Sequence, residues 1–240
     1  IRVFDELRAA GHEPKGIRLD SGDLAYLSKR ARRMLDEAGY PDAIICASGD
    51  LDEYLIASLK NQGAKIDLWG VGTKLITSAD MPALGGVYKL SALYPKEGGE
   101  VPKIKLSDNS DKITNPAFKD VYRIYDNATG KAEADLIVVR GEKIDTGKPL
   151  TVFHPKDTWK RTTFTDYSVR QLTVPVIKGG KLVYELPPLS AVCEYAEREK
   201  ETFWDEYKRL DNPHVYKVDL SQKLYDIKNK LISEIRAENA

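Results

Sequence analysis

The sequence is poor in cysteine and histidine, has no excess of either charge, and carries no apolar run long enough to cross a membrane. Its two cysteines, Cys46 and Cys193, lie far apart and match no CxxC or Cys/His spacing, which argues against a zinc site and suits buried thiols in a reducing cytosol. The three histidines, His12, His154 and His214, are scattered and have no nucleophile or carboxylate partner close in sequence, so surface or structural roles are expected. Lys plus Arg and Asp plus Glu are each 37, so no global field draws the chain to nucleic acid or an anionic membrane, and any anion site must be local. Repeats and low-complexity tracts are also missing.

What is present is ordinary globular material: 240 residues, 42% of them hydrophobic, enough for one large or two modest domains. The chain begins at Ile1 rather than Met and opens directly into a helical pattern, with Val3, Phe4, Leu7 and Ala10 on its apolar side. That opening predicts an internal position in a longer protein.

The stretch Gly16-Ile-Arg-Leu-Asp-Ser-Gly-Asp23 joins a short strand to an amphipathic helix and concentrates polar chemistry in the turn. Arg18 and Asp20 are two apart on an extended segment, so their side chains leave the same face and can converge on one ligand. Ser21, Gly22 and Asp23 lead into a helix whose first N–H groups can receive an anion or a capping side chain. Leu24, Leu27, Ala31, Met34, Leu35 and Ala38 recur at helical spacing until Gly39. Ala43 to Ala47 reads as a strand covered on both faces, followed by the turn Ser48-Gly49-Asp50 and a helix over 51–61, with Asp50 and Glu53 spaced as a capping box. Ile66 to Trp69 is a third strand turning at Gly70-Val71-Gly72-Thr73, and Gly86 to Leu93 a fourth. This alternation predicts right-handed βαβ units and a parallel sheet with Asp20, Asp50 and Thr73 on one rim.

The rhythm changes near Tyr94. Period-two patches at 101–106, 121–125 and 134–139, and a hairpin from 172–177 through Lys178-Gly179-Gly180 into 182–185, predict antiparallel strands. Two charged amphipathic helices, over about 190–210 and 220–237, close the chain.

Asp20 reads equally as an Asx-turn or capping residue and as a ligand-facing carboxylate. Asp50 has its capping explanation, and Ser21 and Asp23 read as caps. Arg18, in an apolar strand, needs an anion, either Asp20 or a ligand. The Gly70–Thr73 turn lets backbone approach a phosphate, with Thr73 offering a hydroxyl. Lys74 is either a helper or solvated. Trp159-Lys160-Arg161 is a small basic-aromatic cluster that reads as a solvated loop ahead of an anion contact.

Taken together, Gly16–Asp23, Ala47-Ser48-Gly49-Asp50, Trp69–Thr73 and Pro82-Ala-Leu-Gly-Gly-Val-Tyr-Lys89 resemble nicotinate phosphoribosyltransferase in order and spacing. The likeness continues through Lys103-Ile-Lys105, Ile113–Pro116, Val121–Tyr125 and Leu182–Pro187. It implies a partial irregular α/β barrel of the type II phosphoribosyltransferase kind in residues 1–94. Antiparallel β-rich segments and C-terminal helices in residues 95–240 would complete the barrel and an accessory domain. It further implies a cytoplasmic, ATP-dependent ligase of NAD salvage that joins nicotinate to 5-phosphoribosyl 1-diphosphate, uses Mg²⁺ and works as a homodimer. Carried over by position, Arg18 would meet nicotinate or the departing pyrophosphate, Asp20 and Asp50 the ribose hydroxyls, and Gly49, Gly72 and Thr73 the phosphate. The histidine that ATP phosphorylates would lie upstream of Ile1, and no catalytic or metal-ligating residue is assigned within the chain. The alternatives are a nicotinamide or quinolinate phosphoribosyltransferase, or a non-catalytic phosphosugar-binding fragment. Alone, the chain is expected to be inactive.

Overall fold

The computed structural model describes residues 1–109, 112–157 and 159–238. The chain separates into two units, Ile1–Gly86 and Val87–Ala240. The first holds α1 (Arg2–Ala9), β1 (Gly16–Leu19), α2 (Leu24–Glu37), β2 (Ile44–Ser48), α3 (Glu53–Asn61), β3 (Leu68–Gly70) and the short α4 (Thr73–Ile76). Its strands form a parallel sheet in the order β1-β2-β3. Gly39, at a φ of 80°, ends α2 in the left-handed conformation that L side chains avoid, and the next N–H, from Tyr40, returns to the Leu35 carbonyl at 2.8 Å. Arg32 then donates to the carbonyls of Tyr40 (2.7 Å) and Ala43 (2.5 Å), which pins the entry to β2.

The helices cover one face of this sheet. Ile45 and Ala47 are fully buried, the first against Phe4, Leu35 and Tyr40, the second against Leu24, Leu51 and Leu59. The other face is open: Ile44 and Leu68 are 42% and 52% exposed. The expectation that Ala43 to Ala47 is covered on both faces is therefore corrected, because burial alternates along β2 with the strand's own period of two. The expected fourth strand is corrected too. Only Ala92–Leu93 (β4) is extended into a ladder, and it pairs antiparallel with β5 (Val101–Pro102) in the second unit. The residues before it carry no strand, with Val87 and Tyr88 77% and 97% exposed.

The second unit is built on a six-stranded sheet ordered β10-β6-β7-β13-β8-β9. Its members are β6 (Lys119–Asp126), β7 (Ala132–Val139), β8 (Leu150–Phe153), β9 (Arg161–Phe164), β10 (Tyr167–Gln171) and β13 (Val218–Leu220). The β13–β7 pair is parallel and the other pairs are antiparallel. Ile124, Ala134, Leu136, Val138 and Val152 form its core. Between β6 and β7 the chain turns at 126–130, with Asp126 accepting from the Thr129 N–H at 2.8 Å and Gly130 at a φ of 68°. The predicted hairpin shrinks to β11 (Ile177–Lys178) and β12 (Lys181–Leu182). Of the helices, α6 (Gln222–Glu238) seats Leu224 in the interior, whereas α5 (Leu189–Thr202) buries none of its residues.

Charge holds α5 instead. The Arg123 guanidinium grips Asp135 with two bonds (2.8 and 3.0 Å) and reaches Glu199 of α5 at 3.3 Å, while Arg170 holds the same Glu199. Tyr216 donates to Asp135 at 3.1 Å, and the Phe203 ring lies 4.7 Å below Arg123. Arg170 keeps the Glu199 carboxyl below its ordinary value. Truncating Arg123 leaves two largely buried carboxylates without their shared cation, so Arg123→Ala should destabilise the second unit by about 3–5 kcal/mol. Urea unfolding followed by the fluorescence of Trp204, which donates to Glu133 in this unit, checks the value.

Candidate functional site

Parallel pairing sends β1, β2 and β3 in one direction, so the turns after them share one edge of the sheet. The register aligns Arg18 with Cys46 and Cys46 with Leu68, then Ser48 with Gly70. Asp20, two residues beyond Arg18, stands at the head of the same face. Its Oδ1 accepts from the Ser48 hydroxyl at 2.5 Å and lies 3.7 Å from the Arg18 guanidinium. Both charged side chains remain more than half exposed, so the ion pair is screened and leaves capacity for a ligand.

Gly49 follows Ser48 at a φ of 94°, and a Cβ there would sit 2.4 Å from the Asp20 carbonyl oxygen. Only glycine lets the second turn pack this closely on the first. Asp50 is also left-handed, at a φ of 46°. That geometry rules out the capping box expected for Asp50, because an N-cap is extended. The cap is Asp52, extended at a φ of −139°, which accepts from the Leu55 N–H at 2.8 Å. Asp50 is thereby freed, and its carboxylate has no hydrogen bond or ion pair among the described residues. Asp23 does cap α2, accepting from the Tyr26 N–H at 2.9 Å.

Asp20, Ser21, Gly22, Ser48, Gly49 and Asp50 line an open depression of about 540 Å³. Gly72 and Thr73 lie on the same edge, at the start of α4, without lining that depression. Beside them is a smaller one of about 360 Å³, bounded by Val71, Lys74 and Ser78. Lys74 faces Asp52 at 3.9 Å and is partly neutralised by it. His12 precedes β1 and so belongs to the opposite, amino-terminal edge; His154 and His214 are in the second unit. Sequence reasoning missed the Ser48–Asp20 bond, which spans 28 positions, and gave the cap to the wrong aspartate. A rim with a free carboxylate, a second one held by a hydroxyl and an arginine, and a glycine-paved floor suits a polyhydroxylated anion such as a sugar phosphate.

Comparison with known proteins supplies the context. Residues 118–228 match the nicotinate phosphoribosyltransferase C-terminal domain. The nicotinate phosphoribosyltransferase of Bacillus subtilis is 46% identical over 222 residues, covering 92% of this chain and 45% of that protein. The human nicotinate phosphoribosyltransferase is 30% identical over 239 residues, covering 96% of this chain and 43% of its own length. The crystal structure of human nicotinic acid phosphoribosyltransferase superposes with a TM-score of 0.68 at 24% identity, over 92% of this chain and 41% of that one, which shows the shared fold. The chain thus spans less than half the length of the relatives it matches.

The division of labour between the two aspartates can be checked by thermal or urea unfolding. Asp52→Ala should cost about 1 kcal/mol through the lost cap. Asp50→Asn, which has no partner to lose and suits the left-handed backbone at a φ of 46°, should stay within about 0.5 kcal/mol of the parent.

Proposed function

We propose that this chain, homologous to the nicotinate phosphoribosyltransferases over nearly its whole length, supplies the phosphoribosyl-binding half of such an enzyme's active site. The observation that carries the reading is the shared rim, on which Asp20, held by Ser48, and the unpartnered Asp50 flank the Gly49 backbone. The reaction would join nicotinate to 5-phosphoribosyl 1-diphosphate: the pyridine nitrogen forms a bond to the anomeric carbon as the bond to the diphosphate breaks. Positive charge then develops on the ribose ring. Asp20 and Asp50, accepting from the ribose hydroxyls, put negative charge beside it, which favours the transition state over the bound ground state. Gly49, Gly72 and Thr73 offer N–H groups and a hydroxyl to phosphate oxygens, and Arg18 meets the nicotinate carboxylate or the leaving pyrophosphate.

Mg²⁺, when bound, would neutralise the leaving diphosphate. Among the described residues no group of three or more His, Cys, Asp or Glu could hold a metal. That fits an ion carried mainly by substrate phosphates, with Asp20 or Asp50 as its protein contact. The remaining parts of the reading are a histidine outside this chain that accepts the ATP phosphoryl group, a homodimer, and a cytoplasmic enzyme of NAD salvage; the expectation of buried thiols is corrected, since Cys46 is half-buried and Cys193 exposed. Residues 1–94 would contribute the rim, and residues 95–240 the rest of the barrel and the accessory domain. Among the described residues no helix is long and apolar enough to cross a membrane.

In the complete enzyme, Arg18→Ala and Asp50→Asn should each lower kcat/KM for nicotinate mononucleotide formation by about 10²–10³-fold, with unfolding free energy changed by less than about 0.5 kcal/mol. If Arg18→Ala instead unfolds the protein and leaves the folded fraction active, Arg18 is a structural partner of Asp20. The 240-residue chain alone, given nicotinate, 5-phosphoribosyl 1-diphosphate, ATP and Mg²⁺, should show no sustained ATP-stimulated turnover; steady product formation would mean the catalytic machinery lies within it.

A further inference from the structure

Asp219 is the anomaly of the second unit. It sits in β13 and is 4% exposed, yet among the described residues no hydrogen bond or ion pair reaches its carboxyl group. Burial raises this carboxyl above its ordinary value, with His154 and Lys217 pulling the other way. The unfolded chain therefore releases this proton at lower pH than the folded one. The ionised group lowers stability increasingly as pH rises from the ordinary aspartate value through the raised one. The residue is buried but its carboxyl oxygens are not sealed in, since the Tyr125 hydroxyl is the buried unsatisfied side-chain atom among the described residues; Asp219 instead presents an unpartnered carboxyl to a cavity, where a ligand can complete it.

The space it opens onto is a pocket of about 680 Å³ bounded by His154, Trp159, Arg161, His214 and Lys217 as well as Asp219. Arg161 and Lys217 form no ion pair within 4 Å among the described residues, Lys217 acting on Asp219 only from a distance, whereas Lys160 is taken up by Asp157 at 2.6 Å. Two cations against one carboxylate leave the pocket positive, so its ligand is an anion overall. At the floor, however, that ligand must present hydrogen-bond donors, since a carboxylate only accepts. The Trp159 ring, 77% exposed, offers a planar wall. The His154 ring is fixed by accepting at Nδ1 from the Asp157 N–H at 2.9 Å, which leaves the proton of the neutral ring on Nε2.

We propose that this pocket binds a nucleoside 5′-phosphate whose base carries two N–H donors on one edge, as guanine does. Asp219 takes that edge, Trp159 stacks on the base, and Arg161 and Lys217 hold the phosphate. Guanine gives both carboxylate oxygens a donor from one edge. Adenine sets an acceptor nitrogen beside its amino group, which repels the second oxygen. None of these residues belongs to the rim of the first unit, so the proposal stands or falls independently of the phosphoribosyl reading.

The test titrates the 240-residue chain with guanosine 5′-monophosphate, adenosine 5′-monophosphate and inorganic phosphate, by calorimetry and by tryptophan fluorescence. The guanine nucleotide should bind about tenfold or more tightly than the adenine nucleotide, both more tightly than phosphate, and Trp159→Phe should remove the fluorescence response. Asp219→Asn should abolish the preference for guanine without lowering the thermal midpoint, because it removes an unpaired buried charge. Arg161→Ala, on the exposed side of β9, should keep the fold and weaken nucleotide and phosphate alike by about tenfold. Phosphate binding as tightly as the nucleotides would reduce the pocket to a cationic patch and overturn the proposal. It is equally overturned by no guanine-nucleotide binding, by equal affinity for the two nucleotides, by unchanged selectivity in Asp219→Asn, or by a lowered midpoint in that variant, which would make Asp219 a structural partner.

Discussion

Strand polarity governs the first unit. Three strands running the same way place every outgoing turn on one edge of the sheet, and nothing about the turns themselves is needed to bring them together. What the turns add is close approach. Gly49 puts backbone against the Asp20 carbonyl where no other residue fits, and Ser48 ties the Asp20 carboxylate to the neighbouring strand. A reacting sugar held there would meet groups fixed by the sheet rather than by flexible loops, which is the condition for electrostatic stabilisation without reorganisation.

The second unit reaches order differently. Its sheet has an apolar interior, but α5 is moored by a guanidinium shared between Asp135 and Glu199 and by Arg170. Such a cluster fixes one arrangement because each oxygen has an assigned donor, and it fails sharply when one member is removed. Two lysines serve similarly elsewhere in the unit. Lys119 donates to the carbonyls of Asn115, Pro116 and Ala117, and the nearly buried Lys228 donates to Asn115 and to the Pro155 carbonyl. Burial lowers the pKa of both amines. Together they clamp a segment whose Ala117 is held at a φ of 70°.

Local signals made much of this legible. The strand at 16–19, the helix ended by Gly39 and the glycine-bearing turns could be read because periodicity and turn chemistry act over a few residues. The site was visible as a set of turns, but its internal bonding was not. Asp50 and Asp52 both precede an apolar run, and the positive φ that disqualifies Asp50 as a cap follows directly on Gly49, which packs on the other turn. The strand β13 escaped for a related reason: three residues long, it is ordered by pairing with Asp135–Ile137, some eighty positions away. The segment 86–93 failed in the opposite sense: of its strand-like residues, Ala92 and Leu93 alone join a ladder, with β5.

The open face of the first sheet bears directly on what Arg18 can do. Parallel sheets persist where both faces are covered, and this one presents Ile44, Cys46 and Leu68 in line with Arg18 and has uncovered edges at β1 and β3. While the face is wet, an Arg18–Asp20 separation of 3.7 Å is worth about 1 kcal/mol at the dielectric of water. Covering the same face multiplies that interaction severalfold, because the effective dielectric falls while the geometry stays put. The charges on the rim are thus already aimed but not yet strong. A covering segment would supply the low dielectric that strengthens this screened surface pair. The apolar residues beside Arg18 are therefore as necessary to its chemistry as the charge itself.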